Sequence, residues 1–307
     1  MPHPLLAIFG PTAVGKTAVA IEVAARLRGL GHDPIAIGVD ALQVYDGIPL
    51  LTAQPTAEEQ AQLEHRLVGF VPLESPWSVA QHTELAHREI DEARDAGRVP
   101  IVVGGTGLYL RSALTELSLA PPPSEGVRET LLERASTPEG LAALHEELYA
   151  LDPVSAELMT PTDRTRVVRA HELIADGRSF ASSSTKGELW AEETRVPTVL
   201  IGLTMERSAL RKRAGDRMWS MVKDGVEDEV TRAWERGIGT TAAAAVGFEE
   251  LLRGDAERAT TKTRQLAKRQ ETWMRRLGGV RIIDVTQREP GAVADEIIER
   301  WTAAAAA

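Results

Sequence analysis

Short, continuous apolar runs alternate along this chain with longer stretches in which apolar residues recur every three or four positions. The first pattern is typical of strands buried on both faces of a parallel sheet, and the second is typical of amphipathic helices. The apolar runs predict strands at 5–9, 34–39, 99–103, 196–203 and 280–285. The amphipathic stretches predict helices at 57–67, 79–96, 206–223, 227–235 and 291–305. They also predict one helix that ends at 29, one that begins at 108 and one that begins near 260.

The repeated order of strand and helix, with the spacing G-x-x-x-x-G-K-T directly after the first strand, predicts an α/β fold with a mostly parallel sheet flanked by helices, as in P-loop proteins. The pattern changes between 120 and 191, where a triple proline at 121–123 precedes helical stretches rich in Arg, Glu and Ala. A serine-rich tract at 179–185 is typical of a mobile loop. We interpret 120–191 as an inserted helical subdomain, and 1–119 with 192–307 as the core.

Composition restricts the class of protein and the chemistry available to it. The chain has 307 residues, of which 43% are hydrophobic, and this is enough to bury a substantial core. It has neither a run of about 20 apolar residues nor a secretory signal pattern, so we expect a cytoplasmic protein. The absence of cysteine excludes disulfides, zinc–thiolate sites and cysteine nucleophiles. We expect His82 and His87 to be ordinary residues of a helix surface.

The charge of the chain is unevenly distributed. A net charge of −10 disfavours contacts with nucleic acid, which need Lys and Arg. Residues 260–276 nevertheless carry six basic side chains and a single acidic one. Taken alone, such a segment is most simply the solvated face of a helix.

A glycine-containing loop follows the first predicted strand, with the spacing G-x-x-x-x-G-K-T at 10–17. Its backbone N–H groups can surround phosphate oxygens, and the next helix adds the positive end of its dipole. Lys16 would reach an outer phosphate, and the Thr17 hydroxyl would bind a Mg²⁺ ion held on the same phosphates. The residues predicted to bind a phosphorylated ligand are therefore Gly10, Pro11, Thr12, Ala13, Val14, Gly15, Lys16 and Thr17. The spacing alone does not distinguish kinases, hydrolases and transferases.

Two further strand ends carry candidate chemistry. Asp40 follows the second predicted strand, and Gly104-Gly105-Thr106-Gly107 follows the third. Ligands of open parallel sheets lie at the carboxyl ends of the strands. We therefore expect Asp40 and Thr106 to lie at the same site as the phosphate loop.

Four blocks, in the same order and spacing along nearly the whole chain, resemble the bacterial tRNA dimethylallyltransferases. They are Gly10-Pro11-Thr12-Ala13-x-Gly15-Lys16-Thr17, Asp40-x-x-Gln43-Val44-Tyr45-x-Gly47, Gly104-Gly105-Thr106-Gly107-Leu108-Tyr109 and Thr263-Arg264-Gln265-Leu266-Ala267-Lys268-Arg269-Gln270-x-Thr272-Trp273.

The resemblance implies transfer of a dimethylallyl group from its diphosphate to N6 of the adenosine immediately 3′ of a tRNA anticodon. Asp40 would take the proton of the weakly nucleophilic amine, and Thr106 would lie near the reacting atoms. Lys16, a Mg²⁺ ion on Thr17, the loop N–H groups and Arg217 would stabilise the diphosphate that leaves. The family also implies a monomer. The residues that would contact the flipped-out base are Asp40, Ala41, Leu42, Gln43 and Thr106.

The same resemblance implies that the basic segment contacts tRNA phosphates. Its candidates are Arg264, Lys268 and Arg269, and the inserted subdomain adds Arg128, Arg166 and Arg169. Ion pairs within the protein or solvated surface positions remain alternatives for the last three residues.

The chain departs from the family pattern at three places. A histidine pair that is often seen before the third block is Glu64-His65-Arg66 here. The usual Asp-Ser-x-Gln is Asp40-Ala41-Leu42-Gln43, and the usual Gly-Thr-Ala-Lys-Pro is Leu51-Thr52-Ala53-Gln54-Pro55. A hydroxyl and an amine are lost, so we expect weaker binding of the acceptor with activity retained.

Three other functions fit parts of the pattern. A small-molecule kinase would use the phosphate loop but leaves 263–273 without a role. An adenylate, or cytokinin-type, isopentenyltransferase shares the same core but does not need the arginines of the insertion. An RNA-binding protein without catalysis would not need Lys16, Thr17, Asp40 and Thr106 together.

Overall fold

The computed structural model describes residues 3–117, 119, 126–182 and 188–306. Its six-stranded sheet has the order β3-β2-β4-β1-β5-β6, and every neighbouring pair is parallel. The parallel sheet flanked by helices confirms the predicted fold class. The strands are β1 Leu5–Phe9, β2 Pro34–Gly38, β3 His65–Arg66, β4 Val99–Gly104, β5 Thr198–Thr204 and β6 Arg281–Asp284.

The helices surround this sheet or belong to the insertion, and a 3₁₀ turn occupies Glu188–Trp190. The α-helices are α1 Lys16–Gly29, α2 Pro49–Thr52, α3 Ala57–Gln62, α4 Val79–Asp95, α5 Gly107–Leu114, α6 Val127–Arg134, α7 Pro138–Leu151, α8 Pro153–Glu157, α9 Arg164–Ala175, α10 Arg207–Lys223, α11 Val226–Glu235, α12 Thr240–Ala243, α13 Phe248–Leu252, α14 Ala256–Met274 and α15 Pro290–Ala305. None of those in the described part of the chain is long and apolar enough to cross a membrane.

Both faces of the sheet are covered, which explains the continuous apolar runs of its strands. Leu6 and Ile8 of β1 pack in one cluster with apolar side chains of α1 and α15. Leu5 and Phe9 point to the opposite face and pack with α4 and α5. Because all strands are parallel, the loops that follow β1, β2 and β4 emerge at one edge of the sheet.

Two predicted helices have wrong boundaries. The prediction of a helix at 57–67 is wrong beyond Gln62, since 65–66 form β3 at the edge of the sheet. Leu63 and Leu67 are four residues apart and imitate a helical stripe, but they pack on opposite faces of the sheet. The helix predicted from about 260 begins at Ala256, where the Asp255 side chain accepts a hydrogen bond from the backbone N–H of Arg258.

The chain divides into two compact units, residues 1–116 with 189–307 and residues 117–188. Helices α6 to α9 form the second unit around an apolar cluster that includes Leu144 and Val167. The triple proline and residues 183–185 of the serine-rich tract lie outside the described residues. In the described part of that tract, the Ser179 hydroxyl donates to Asp152 Oδ2 at 2.6 Å.

Candidate functional site at the carboxyl edge of the sheet

The phosphate loop joins β1 to α1 and has the backbone that its glycines predict. Gly15 has φ = 104°, a left-handed conformation that favours glycine. A Cβ on Gly10 would lie 2.9 Å from the carbonyl oxygen of Leu203 on the neighbouring strand, so a larger residue would not fit. The two glycines therefore serve the turn and the close packing of the loop.

Lys16 lies back along the loop, with its ammonium donating to the carbonyl oxygens of Gly10 at 2.9 Å and Pro11 at 3.0 Å. Burial lowers the pKa of Lys16 to about 8; the charge of Asp40 raises it and that of Arg217 lowers it. Lys16 is therefore still largely protonated near pH 7. Lys16, Asp40 and Arg217 are therefore near enough to one another for their charges to interact.

Two arginines of α10 lie near the phosphate loop. Burial lowers the pKa of Arg217, Glu59 and Asp40 raise it, and the charge of Arg213 lowers it. Arg213 Nη2 is 3.5 Å from the position that a Cβ on Gly15 would take. Arg217 was predicted from the sequence and Arg213 was not, although their i, i+4 spacing places both on one face of a helix.

Asp40 and Thr106 come together at the ends of the adjacent strands β2 and β4. The Thr106 hydroxyl donates to Asp40 Oδ2 at 3.3 Å and accepts from the backbone N–H of Ala41 at 3.3 Å. Asp40 Oδ1 accepts from the backbone N–H of Leu42 at 3.0 Å. Thr106 precedes α5 without capping it by its side chain. The pair combines a carboxylate with a hydroxyl beside the phosphate loop.

The segment after Asp40 is held by two glutamines. The side-chain amide of Gln43 donates to the carbonyl oxygens of Thr52 at 3.1 Å and Ala53 at 2.7 Å. The amide of Gln54 donates to the carbonyl oxygens of Gln43 at 3.0 Å and Tyr45 at 2.6 Å. Gln54, which replaces the lysine of the usual family pattern, therefore closes this loop on itself.

His82 is buried close to Asp40, and the expectation that it lies on a helix surface is wrong. It has 0% exposure, and its ring packs against Tyr109 at a centroid distance of 4.8 Å. Burial lowers the pKa of His82 to about 4, against the charge of Asp40 that raises it. His82 is consequently neutral at pH 7. His87 is half-buried, and its Nε2 lies 2.8 Å from the carbonyl oxygen of Ser112.

The basic residues of α14 differ in their surroundings. Lys268 and Arg269 are exposed. Arg264 is half-buried, and its Nε donates to the carbonyl oxygen of Arg211 on α10 at 3.2 Å. Gln270, which sequence analysis did not single out as a site residue, points inward and bonds to both the phosphate loop and the Thr106 loop.

The three predicted arginines of the insertion lie in one unit with two acidic partners. Glu172 is fully buried and accepts from Arg169 Nη1 at 2.9 Å, and its other oxygen is 3.2 Å from Arg128 Nη1. Arg166 is exposed and 3.6 Å from Asp163. Arg128 and Arg169 therefore neutralise a buried carboxylate, whereas Arg166 faces solvent.

A magnesium ion would need more than protein ligands here. The described residues contain no group of three or more His, Cys, Asp or Glu side chains that could hold a metal. Thr17, in the first turn of α1, offers one half-buried hydroxyl. A single hydroxyl ligand suits an ion whose other ligands are diphosphate oxygens and water, as Mg²⁺ prefers.

Comparisons with known proteins agree with the resemblance drawn from the four blocks. The model of the IPP transferase family matches residues 43–277. The tRNA dimethylallyltransferase of Rhodospirillum centenum is 42% identical over 89% of this chain and 88% of its own. That of Chromohalobacter salexigens is 38% identical over 91% of both chains.

A solved structure agrees over the full length. The full-length tRNA isopentenylpyrophosphate transferase from Bacillus halodurans has a TM-score of 0.69 and 31% identity, covering 98% of each chain. The phosphate loop, the paired strand ends and these matches along most of the sequence lead to one assignment. The chain belongs to the IPP transferase family.

Proposed function

We propose that this protein is a tRNA dimethylallyltransferase, which transfers the dimethylallyl group from dimethylallyl diphosphate to N6 of the adenosine immediately 3′ of the anticodon. The observation that carries this proposal is the Asp40–Thr106 pair at 3.3 Å, held at the sheet edge that also carries the phosphate loop. The acceptor, tRNA, and the transferred group, dimethylallyl, are taken from the names of the protein's relatives.

The reaction exchanges one bond for another. The bond between C1 of the dimethylallyl group and the diphosphate oxygen breaks, and a bond between C1 and N6 forms. N6 is a poor nucleophile because its lone pair is delocalised into the adenine ring, so removal of its proton by Asp40 favours attack. The hydrogen bond that Thr106 donates keeps the carboxylate oriented towards the acceptor.

The leaving diphosphate gains charge as the carbon–oxygen bond breaks. Lys16 and Arg217 supply positive charge where that happens, and loop N–H groups with the dipole of α1 add to it. A bound Mg²⁺ would neutralise further charge on the diphosphate oxygens. Two of the three N–H donors of Lys16 bond to the carbonyl oxygens of Gly10 and Pro11, which leaves one donor for the diphosphate.

We further infer that Lys268 and Arg269 of α14 contact tRNA, since both side chains are exposed. We infer the same separately for Arg166 of the insertion, which is also exposed. Asp40, Ala41, Leu42 and Gln43 would surround the flipped-out base. The enzyme would act as a monomer in the cytoplasm, where tRNA is used.

The proposal is tested by incubating the protein with Mg²⁺, labelled dimethylallyl diphosphate and either unmodified tRNA or free AMP. We expect label on tRNA alone. Label on AMP would favour an adenylate isopentenyltransferase. Label on neither acceptor would contradict prenyl transfer and return attention to a kinase or a non-catalytic RNA-binding protein.

A further inference from the structure

One buried side chain connects the two loops on which the proposed reaction depends. Gln270 of α14 is 8% exposed. Its Oε1 accepts from the backbone N–H of Thr12 in the phosphate loop at 2.7 Å. Its Nε2 donates to the carbonyl oxygen of Gly105, immediately before Thr106, at 2.9 Å. Both ends of the amide are thus used, one on each loop.

The loop around Thr106 packs closely against side chains of α14. A Cβ on Gly105 would lie 2.5 Å from Gln270 Nε2, and a Cβ on Gly107 would lie 2.2 Å from Cε3 of Trp273. Gln270 and Trp273 are three residues apart, so both lie on one side of the helix. Each glycine that flanks Thr106 is consequently in contact with a side chain of α14.

The contact to Thr12 also affects how the phosphate loop is used. The Thr12 N–H is directed to Gln270 Oε1, so this donor is committed to the protein. Thr106 in turn donates to Asp40. A chain of hydrogen bonds therefore runs from the phosphate loop through Gln270 to the segment that holds Thr106 and the carboxylate.

We propose that Gln270 is a positioning residue that fixes the Thr106 loop and the phosphate loop at the separation that group transfer requires. This inference rests on the proposed function, because the separation matters only if a diphosphate and an acceptor react between the loops. The neighbouring Lys268 and Arg269 face solvent. The helix proposed to contact tRNA therefore also sets the distance between the reacting groups.

Only an amide can make both bonds. Glutamate at 270 could accept from Thr12 but would place a second oxygen against the carbonyl oxygen of Gly105. Methionine has similar length and volume and can make neither bond. The variants Gln270→Glu and Gln270→Met therefore separate the two contacts while keeping the position filled.

We expect Gln270→Met to lower kcat roughly tenfold to a hundredfold, since small displacements of reacting groups have effects of this size. KM for tRNA should change less than threefold in both variants, because Lys268 and Arg269 are retained. Gln270→Glu should keep KM for dimethylallyl diphosphate near the wild-type value while kcat falls. Gln62→Met, at an exposed glutamine of α3 that has no place in the proposed tRNA or diphosphate contacts, is the matched control and should behave as wild type.

Hydrogen exchange measured by mass spectrometry on the full chain gives a readout that does not depend on activity. Gln270→Met should raise exchange in peptides covering 10–17 and 104–109 without raising it across the sheet. Unchanged exchange in both peptides, or kcat within twofold of wild type in both variants, would overturn the positioning role. A fall in activity matched by global loss of protection would overturn it as well. An inactive wild-type protein would instead contradict the proposed function, while the exchange result would still decide whether Gln270 holds the two loops.

Discussion

The carboxylate of Asp40 has two defined partners, the Leu42 N–H and the Thr106 hydroxyl, and both keep it at the edge of the sheet. Asparagine has almost the same shape but cannot take a proton from N6. We expect Asp40→Asn to lower kcat by about 10² to 10⁴, the usual contribution of a general base. Steady-state kinetics with tRNA measure the fall in kcat. A binding assay with pyrophosphate measures the affinity for diphosphate, which should stay within a few-fold of the wild-type value.

The control for this variant is Asp46→Asn, an exposed acidic residue of the same loop. It should leave kcat and diphosphate binding unchanged. If Asp40→Asn retained near-normal turnover, Asp40 would not be the base.

Lys16 gives the site a dependence on pH. Burial places its pKa at about 8, so the free protein loses this positive charge as the pH rises through 8. A bound diphosphate favours the protonated form, so affinity should be highest below pH 8 and should fall above it. Calorimetric titration with pyrophosphate between about pH 6.5 and 9.5 measures this fall.

Lys16→Arg separates the lysine from the titration of pyrophosphate itself, because arginine stays charged over this range. The part of the fall in pyrophosphate affinity that is due to Lys16, near pH 8, should disappear in the variant. Parallel affinity profiles for the two proteins would show that Lys16 does not titrate in this range.

At the scale of single elements, α14 has a structural side and a solvent side. Gln270 and Trp273 face the loops of the site, whereas Lys268 and Arg269 are exposed. If the exposed pair binds tRNA phosphates, Lys268→Ala with Arg269→Ala should weaken tRNA binding. The slope of log affinity against log salt should become shallower by about one for each phosphate that the variant no longer binds.

Arg28→Ala with Arg94→Ala removes the same charge from the ends of α1 and α4, at the opposite edge of the sheet. This control should leave the salt slope unchanged. Equal slopes for the two double variants would make the basic side of α14 an ordinary solvated face.

The insertion contains a contrast between two arginines of α9. Arg169 is bonded to the fully buried Glu172, and Arg166 pairs with Asp163 at the surface. Arg169→Ala should lower the free energy of unfolding by about 1.5–3 kcal/mol, the range for hydrogen bonds to charged groups. Arg166→Ala should cost less than about 1 kcal/mol, as exposed ion pairs do.

Denaturant unfolding of the full chain, followed by circular dichroism, compares these two variants. The tRNA affinity should show the opposite order if Arg166 is the exposed contact. Equal stabilities would mean that the bond from Arg169 to Glu172 contributes no more than the exposed ion pair of Arg166.

Across the whole molecule, the local patterns predicted most of what was found. Apolar runs identified five of the six strands, and the spacing of Gly10, Gly15 and Lys16 identified the phosphate loop. The contacts that sequence did not show are those between distant segments. The bond from Thr12 to Gln270 spans 258 residues, and no local pattern contains it.

The same reason explains the errors. Leu63 and Leu67 have helical spacing, and only the neighbouring sheet reveals that they pack on opposite faces. His82 belongs to a polar-looking helix, and its burial depends on Tyr109, which is 27 positions away in the sequence. The basic residues of 260–276 were not missed in this way, because the local sequence shows them directly despite a net charge of −10.

The most direct measurement is to map the prenyl group on the RNA. Two tRNA transcripts that differ only in having A or G immediately 3′ of the anticodon are incubated with the protein, Mg²⁺ and dimethylallyl diphosphate. Nuclease fragments are then examined by tandem mass spectrometry. We predict one dimethylallyl group on N6 of that adenosine and none on the G transcript. A prenyl group elsewhere, equal modification of both transcripts, or no product would contradict the proposed function.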